Sequence, residues 1–512
     1  MRKKAGYISL MVGMITVLLF CLPVWAVTEE EMANRSAYDS REYSIITPVT
    51  DQGGSTLCWA FSAISAAEAS VLKSGSAPGE TAQTLKLSPW QVGYARHNRG
   101  TDPLGNTSGE VTGKDWYSAN GQSSDAQALF SQWCGPVDGS CPETCDGWEN
   151  ARFILKESPS FDGSALKTDP EARLELKRAI VKYGAVTFSY NNLRETEYYN
   201  PAGESGGKSS PHACTIIGWD DNIPASRFQP KAAGQDGGWL IKNSYSSLPY
   251  FYLSYDNTSS NIYAFSFLNR EAYDYNYFYD ADGADFGLGS ILRPQQAANV
   301  FEAKKGSEQG AELVSAVNAG FEGKNVTLRV KVYKNLRDAS DPTGGVLAAE
   351  EEVFLECAGY YTVPLSVPVQ VEKGSLFSVV AEVKGEGNTH FKLTGNQGKS
   401  FFYRGGVWRV VDYAPRLKAF TKVEKEKIYF ADGYACLNAS EGERGIFMLG
   451  LYREDNLLDC QMISAENSGS CRLAIPKAWQ KQGDRVKAFF WNSFEEMKPF
   501  ACEERRINEI YP

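Results

Sequence analysis

The hydrophobic pattern of this chain changes character near Ala264, and that change limits the fold more than any other feature. Upstream, from about residue 40 to 257, helical and strand periodicities alternate. Residues 58–75 carry Phe61, Ile64, Ala67 and Val71 at helical spacing and end on Gly75, with Ser55 or Thr56 placed to cap the start. A second helix is expected over 171–183. Strands are expected over 185–190, 212–219, 239–242 and 251–255. Downstream, helix signals nearly vanish. Residues 326–333 alternate with period two, and 376–383 follow a similar but more buried pattern, with turn signals at 341–345 and 372–374 between them. The chain therefore reads as an α+β domain followed by all-β sandwich domains. The charged stretch 422–427 reads as a linker. A last short β unit follows it, with strands near 445–452 and 486–492. The expected division is a leader over 1–26 and domains over 27–262, 263–423 and 424–512. The 512 residues accommodate this at ~150 per domain. The formal charge of −10 argues against a general nucleic-acid binder, which would show a basic stripe.

Arg2, Lys3 and Lys4 precede an apolar run from Ile8 to Leu22, and Val24 and Ala26 supply small residues for a cut after Ala26. This reads as a secretory signal peptide, so the mature product is expected to be soluble, exported and without a membrane span. Phe20 before Cys21 spoils a lipoprotein box. In an exported chain, disulfides are the default for Cys58, Cys134, Cys141, Cys145, Cys214, Cys357, Cys436, Cys460, Cys471 and Cys502.

Only three histidines are present, so a base working near neutral pH is His97, His212 or His390. Cys58 sits where a Gly/Ser-rich loop turns into a helix. Unpaired N–H groups and partial positive charge at a helix start stabilise a thiolate. Gln52, six residues earlier, has an amide able to reach back and donate to a developing oxyanion. A lone cysteine of this kind is more often structural. The second segment changes that reading. His212 opens one strand, and Asn243 closes the strand that returns 31 positions later. Antiparallel pairing makes the two neighbours, and an Asn oxygen accepting the imidazole N–H fixes its tautomer. His97 is expected at the surface, and His390 lies in the β region. Residues 280–283 (Asp-Ala-Asp-Gly) have the flavour of a calcium loop but lack EF-hand spacing.

Asp51-Gln52-Gly53, Cys58-Trp59-Ala60-Phe61-Ser62, His212-Ala213, Ile217-Gly218-Trp219-Asp220 and Lys242-Asn243-Ser244 together resemble the papain family of cysteine peptidases. The resemblance covers roughly residues 36–260. It implies a two-lobed peptidase, with a helical lobe carrying Cys58 and a β-barrel-like lobe carrying His212 and Asn243. It further implies Cys58 as nucleophile, His212 as base and acid, Asn243 as its orienting partner, and Gln52 with the Cys58 N–H as oxyanion hole. The substrate would be a polypeptide, and neither metal nor organic cofactor is implied. Gly121 and Gln122 align with a Gly-Gly pair that binds substrate backbone, and Ala213 and Ser189 with the main specificity pocket. The β region is similar to a lectin-like sandwich that follows the peptidase in some bacterial exported members. Through it, attachment to a cell-surface glycan or protein is implied. Its aromatic segments read equally as core.

Several positions depart from the family pattern. Thr56 replaces a glycine, Ser55 a cysteine, Gln122 a glycine, and Tyr245 the tryptophan that shields the Asn–His bond. Tyr245 is expected to let water reach His212 and Asn243 more easily. The short stretch between residue 26 and Gln52 leaves no room for a long inhibitory prosegment. These departures motivate two alternatives: an inactive surface adhesin that binds peptide, and a Cys-dependent transpeptidase.

Overall fold

The computed structural model describes residues 27–98, 100–108, 115–192, 195–201, 210–257, 262–280, 288–306, 310–425, 427–431, 433–438, 444–465, 470–491 and 499–507. The leader expected over 1–26 lies outside the described residues, as do 281–283 of the acidic loop and residue 492 of the last expected strand. Among the described residues no helix is long and apolar enough to cross a membrane. The chain divides into two compact units, Met1–Gly100 with Gly109–Asn269, and Thr101–Ser108 with Arg270–Pro512.

The first unit opens with α1 (Glu29–Ala33), started by a reciprocal capping box between Thr28 and Glu31, and β1 (Ala37–Asp39). Its centre is α2 (Cys58–Ser74), which stops at Gly75 in the left-handed region (φ +69°), where a side chain would be strained. The apolar spacing suggested one buried stripe. In fact α2 is buried without a break from Trp59 to Val71, because its alanines and serines let neighbours approach on all sides. The expected cap is absent. Leu57 occupies the N-cap position and makes no side-chain bond, Thr56 Oγ1 has no partner, and the Ser55 hydroxyl instead donates to the Gln52 carbonyl (2.9 Å). The open first turn of α2 is thereby left to Cys58.

Helices α3 (Pro89–His97) and α4 (Ser123–Ser131) flank α2. His97 is buried at the end of α3, 7% exposed, rather than on the surface, because the last turn of this helix packs inward together with Arg96. Strand β2 (Phe153–Phe161) and helix α5 (Pro170–Tyr183) lead into an antiparallel sheet. Its strands are β3 (Val186–Asn192), β4 (Ser210–Asp220), β5 (Gly238–Lys242) and β6 (Tyr250–Ser254), paired in that order, and β1 adds to β4.

A buried hydroxyl cluster ties α2 to this sheet. Ser62 Oγ, one turn beyond Cys58, donates to the carbonyl of Cys214 on β4 and lies 2.6 Å from Thr187 Oγ1 on β3. Thr215 Oγ1 returns a bond to the Ser62 carbonyl (3.2 Å). A second tie is charged. Lys242 Nζ donates to Thr47 Oγ1 (2.9 Å), which donates to Glu68 Oε2 (2.5 Å), all three being buried. Burial pushes the Lys242 ammonium down to about 8, against the pull of Glu68.

In the second unit, β7 (Gln296–Glu302), β8 (Gly310–Lys334), β9 (Val346–Leu355), β10 (Ala358–Val371), β11 (Leu376–Phe391), β12 (Leu393–Arg404), β13 (Val407–Pro415) and β14 (Leu417–Lys425) form the sandwich. The long strand β8 belongs to both layers. Glu312–Phe321 pair with β10, and 326–334 pair with β9 and β11. The register with β11 shifts beside Gly323 (φ +128°), where a Cβ would meet Thr389 Oγ1 at 2.4 Å. Val317, Phe321, Leu328 and Val332 of β8 bury into one core with Phe377 and Val379. The aromatics Tyr277, Phe301, Tyr360 and Phe420 are likewise buried, which is the core reading of those segments.

One expectation fails here. Residues 422–425 are not a linker but the end of β14, paired with Gly310–Leu313; Lys422 faces solvent while Val423 turns partly inward, so strand alternation continues beneath the charges. For one candidate disulfide the strand register argues against the bond. Cys436 and Cys471 lie on adjacent strands, but Cys436 pairs with Arg472 and Leu437 with Cys471, which puts the two sulfurs on opposite faces. The last strands, β15 (Gly445–Arg453), β16 (Asn456–Ala465), β17 (Arg485–Trp491) and β18 (Pro499–Arg506), form a separate four-stranded sheet with its own core around Trp479.

Ser62→Ala leaves the Cys214 carbonyl and Thr187 hydroxyl short of a buried partner. It is expected to lower stability by about 1–3 kcal/mol, read as a fall in the urea midpoint monitored by tryptophan fluorescence.

Candidate active site

Strand register assembles the site. Tyr190 on β3 lies opposite His212 on β4, and Phe188 opposite Cys214. Thr215 on β4 lies opposite Lys242 on β5. One step further, the same register sets Cys214 beside Asn243, and then His212 beside Tyr245. Because side chains alternate between faces, Tyr190, His212, Cys214, Asn243 and Tyr245 rise together from one face.

Asn243 Oδ1 is the hub. It lies 2.9 Å from His212 Nε2 and accepts from the Ser244 N–H (2.9 Å) and the Cys214 thiol (3.4 Å). The Ser244 N–H and the Cys214 thiol are donors whatever the tautomer of the ring, and they settle which end of the amide faces it, since a flipped amide would set N–H groups against them. Nε2 therefore carries a hydrogen, and the ring offers its other nitrogen to Cys58, with which it hydrogen-bonds.

Cys58 is half-buried at the first residue of α2. Burial works against its thiolate. The hydrogen bond and charge of His212 and the backbone N–H groups of Ala213 and Trp59 outweigh burial and hold the thiol below its ordinary value. For His212, burial opposes the charge, while the hydrogen bond and charge of Cys58 favour it and hold the imidazole above its ordinary value. Burial pushes the Cys214 thiol up, so Cys214 stays protonated and the anionic partner is Cys58.

The tyrosine substitution does not open the pair to water. Tyr245 stacks on His212 with ring centroids 5.4 Å apart and 22° between planes. His212 is 6% exposed and Asn243 4%. The smaller ring still lies flat over the imidazole because register delivers it there.

Gln52 is 2% exposed and held at both ends. Its Oε1 accepts from Ser244 Oγ (2.5 Å), its Nε2 donates to the Ser55 carbonyl (2.8 Å), and its backbone N–H donates to the Ser244 carbonyl (2.9 Å). An amide nitrogen has two hydrogens, and Ser55 uses one. Gly121 packs against the Trp59 indole so closely that a Cβ would fall 2.4 Å from it. The Gln122 side chain is exposed, and its backbone N–H donates to Asp125 Oδ2 (2.9 Å) at the start of α4. Ser189 and Ala213 are direct cross-strand partners on the sheet face opposite His212.

Three contributors were not legible in advance. Ser244 joins Gln52 to Asn243, Cys214 donates to the hub, and Glu195 places Oε1 3.6 Å from His212 Nε2. Only Ser244 had a signal, as the neighbour of Asn243. Cys214 reaches the site through strand register, and Glu195 through its anchor Tyr190.

Fold and site define a cysteine peptidase. Residues 35–255 match the papain family cysteine protease model and form a domain of that family; residues 277–406 match, and form, a lectin-like domain. The chain is similar to the cysteine protease and lectin-like domains of Cwp84, a surface layer associated protein of Clostridium difficile. The TM-score is 0.58 at 18% identity, over 76% of this chain and 89% of that one. A second structure, clostridial cysteine protease Cwp84 after propeptide cleavage, gives a TM-score of 0.57 at 18% identity, over 76% and 100%. At this identity the likeness is one of fold. No curated protein matches the chain.

Tyr245→Ala uncovers the imidazole and loosens its bond to Asn243. A loss of kcat/KM of roughly fivefold is expected, the equivalent of one net hydrogen bond of ~1 kcal/mol. Tyr245→Trp is expected to retain the wild-type value in the same peptide-cleavage assay.

Proposed function

We propose that this chain is an exported endopeptidase that hydrolyses peptide bonds through an acyl-enzyme on Cys58. The thiolate attacks the scissile carbonyl carbon. The oxyanion that forms is met by the free Gln52 amide hydrogen and the backbone N–H of Cys58. His212 gives its proton to the departing amine, and the C–N bond breaks to leave a thioester. His212, now neutral, removes a proton from water; hydroxide adds to the thioester, and Cys58 leaves as the thiolate. Asn243 holds the ring in the tautomer both steps need. Ser189 and Ala213 contribute to the specificity pocket, and Gly121 and Gln122 to binding of substrate backbone. The N-terminal leader directs export, the peptidase domain spans 27–262, and the β domains over 263–423 and 424–512 attach the enzyme to a cell-surface glycan or protein.

The observation that carries this reading is Cys58 at the uncapped start of α2 beside an imidazole whose far nitrogen is taken by Asn243. The surface-layer association printed for Cwp84 supports the placement outside the cell. The second reading is peptide binding without turnover; the Gln122 N–H is committed to Asp125, so a backbone contact from Gln122 to a peptide would run through its carbonyl.

A proteome-wide cleavage-site profile of the mature protein beside Cys58→Ala and His212→Ala decides between them. Cuts made by wild type and lost in both variants are expected. A wild-type profile equal to that of Cys58→Ala contradicts hydrolysis and leaves the binding reading.

The pH dependence has a definite sign. Activity rises with pH as Cys58 ionises, below the ordinary thiol range because its pKa is lowered. It falls as His212 loses its proton, above the ordinary imidazole range because its pKa is raised. A bell-shaped kcat/KM profile spanning neutral pH is the expected result.

A further inference from the structure

The peptidase reading uses Cys58, His212, Asn243 and Gln52, and leaves a buried carboxylate unexplained. Glu195 lies three residues beyond the end of β3 in sequence. Its Oε1 stands 3.6 Å from His212 Nε2, with the two side chains 12% and 7% exposed. That oxygen is anchored by the Tyr190 hydroxyl (2.5 Å) and by Asn192 Nδ2 (2.8 Å). Tyr190 is itself the cross-strand partner of His212, its ring edge-on at 6.0 Å. The β3–β4 register brings Tyr190, which anchors the carboxylate, to the imidazole, from the strand on the other side of β4 from Asn243.

The two partners of Nε2 differ in kind. Asn243 lies within hydrogen-bond distance and is neutral, so it sets direction. Glu195 lies beyond that distance and is a carboxylate, so its influence on the ring is through the field. The groups that face the ring are Cys58 from α2, Cys214 from β4, Asn243 and Tyr245 following β5, and Tyr190 with Glu195 from β3 and its extension. Cys214 is held as a thiol. Glu195 is thus the carboxylate on the side of the ring away from Cys58.

We propose that Glu195 is a positioning residue that keeps His212 protonated, widening the pH range over which the thiolate–imidazolium pair exists. This rests on the peptidase reading above. In the resting pair the ring carries charge, and Glu195 opposes its loss. During deacylation, when His212 takes a proton from water, the carboxylate favours the charged ring that forms. The orienting bond of Asn243 and the electrostatic work of Glu195 are then separate functions, each removable without the other.

The test is the pH dependence of Cys58 alkylation by iodoacetamide, located by peptide mapping, alongside the kcat/KM profile. Glu195→Gln keeps the length and the acceptor oxygen of the side chain and removes its charge. Its alkaline limb is expected to fall by about one pH unit or more, the effect of losing an opposite charge within 4–6 Å. The acid limb, set by the more distant Cys58, should move less. An alkaline limb identical to wild type overturns the proposal. Should Glu195→Gln not fold, Tyr190→Phe, which frees the carboxylate from its anchor, should move the same limb part of the way; no movement there also overturns it. A wild type that neither cleaves peptide nor shows enhanced Cys58 alkylation refutes the peptidase reading instead, so the two failures are distinguishable.

Discussion

The site depends on one amide oxygen. Asn243 Oδ1 receives the imidazole of His212, the thiol of Cys214 and the N–H of Ser244, and Ser244 in turn clamps Gln52. This convergence follows from pairing β4 with β5 in a single register. A slip by one residue would send His212 and Asn243 to opposite faces and dissolve every one of these contacts. The Ser62 cluster supplies the matching constraint from the helical side, fixing the start of α2, and hence Cys58, against the strand that carries His212.

Much of this was legible in the sequence, for physical reasons that can be named. A cysteine at a loop-to-helix boundary, a histidine opening one strand and an asparagine closing the next are local features, and antiparallel geometry joins the last two. The helix over 58–75 and the strands around 212 and 239 are marked by apolar spacing and by Gly75. The family resemblance on quoted motifs named the domain that the family comparison then showed. Illegible were features that depend on where the chain returns in space. Glu195 follows its strand by three residues, and nothing in its neighbourhood marks it until Tyr190 and His212 are opposed. The cap at α2 misled because Ser55 and Thr56 are residues of the right kind whose hydroxyls are respectively spent inside the loop and unpartnered.

The β region shows the same division. Alternation over 326–333 identified a sandwich strand, but not that β8 runs on through both layers. Charge over 422–427 suggested a linker, whereas charged side chains on a strand can face water while its backbone stays paired. Tyr245 was expected to weaken shielding because it is smaller than tryptophan; its placement opposite His212 mattered more than its size. The catalytic account concerns the first unit, which carries Cys58, His212, Asn243 and Gln52.

The most direct test sets Cys58 against the nine other cysteines of the described residues as internal competitors. Mature protein is treated under reducing conditions at neutral pH with a peptidyl epoxide, and adducts are mapped by mass spectrometry. The account predicts one adduct, on Cys58, that is lost in His212→Ala. Labelling spread over the other thiols, or equal labelling of Cys58 in His212→Ala, would contradict it.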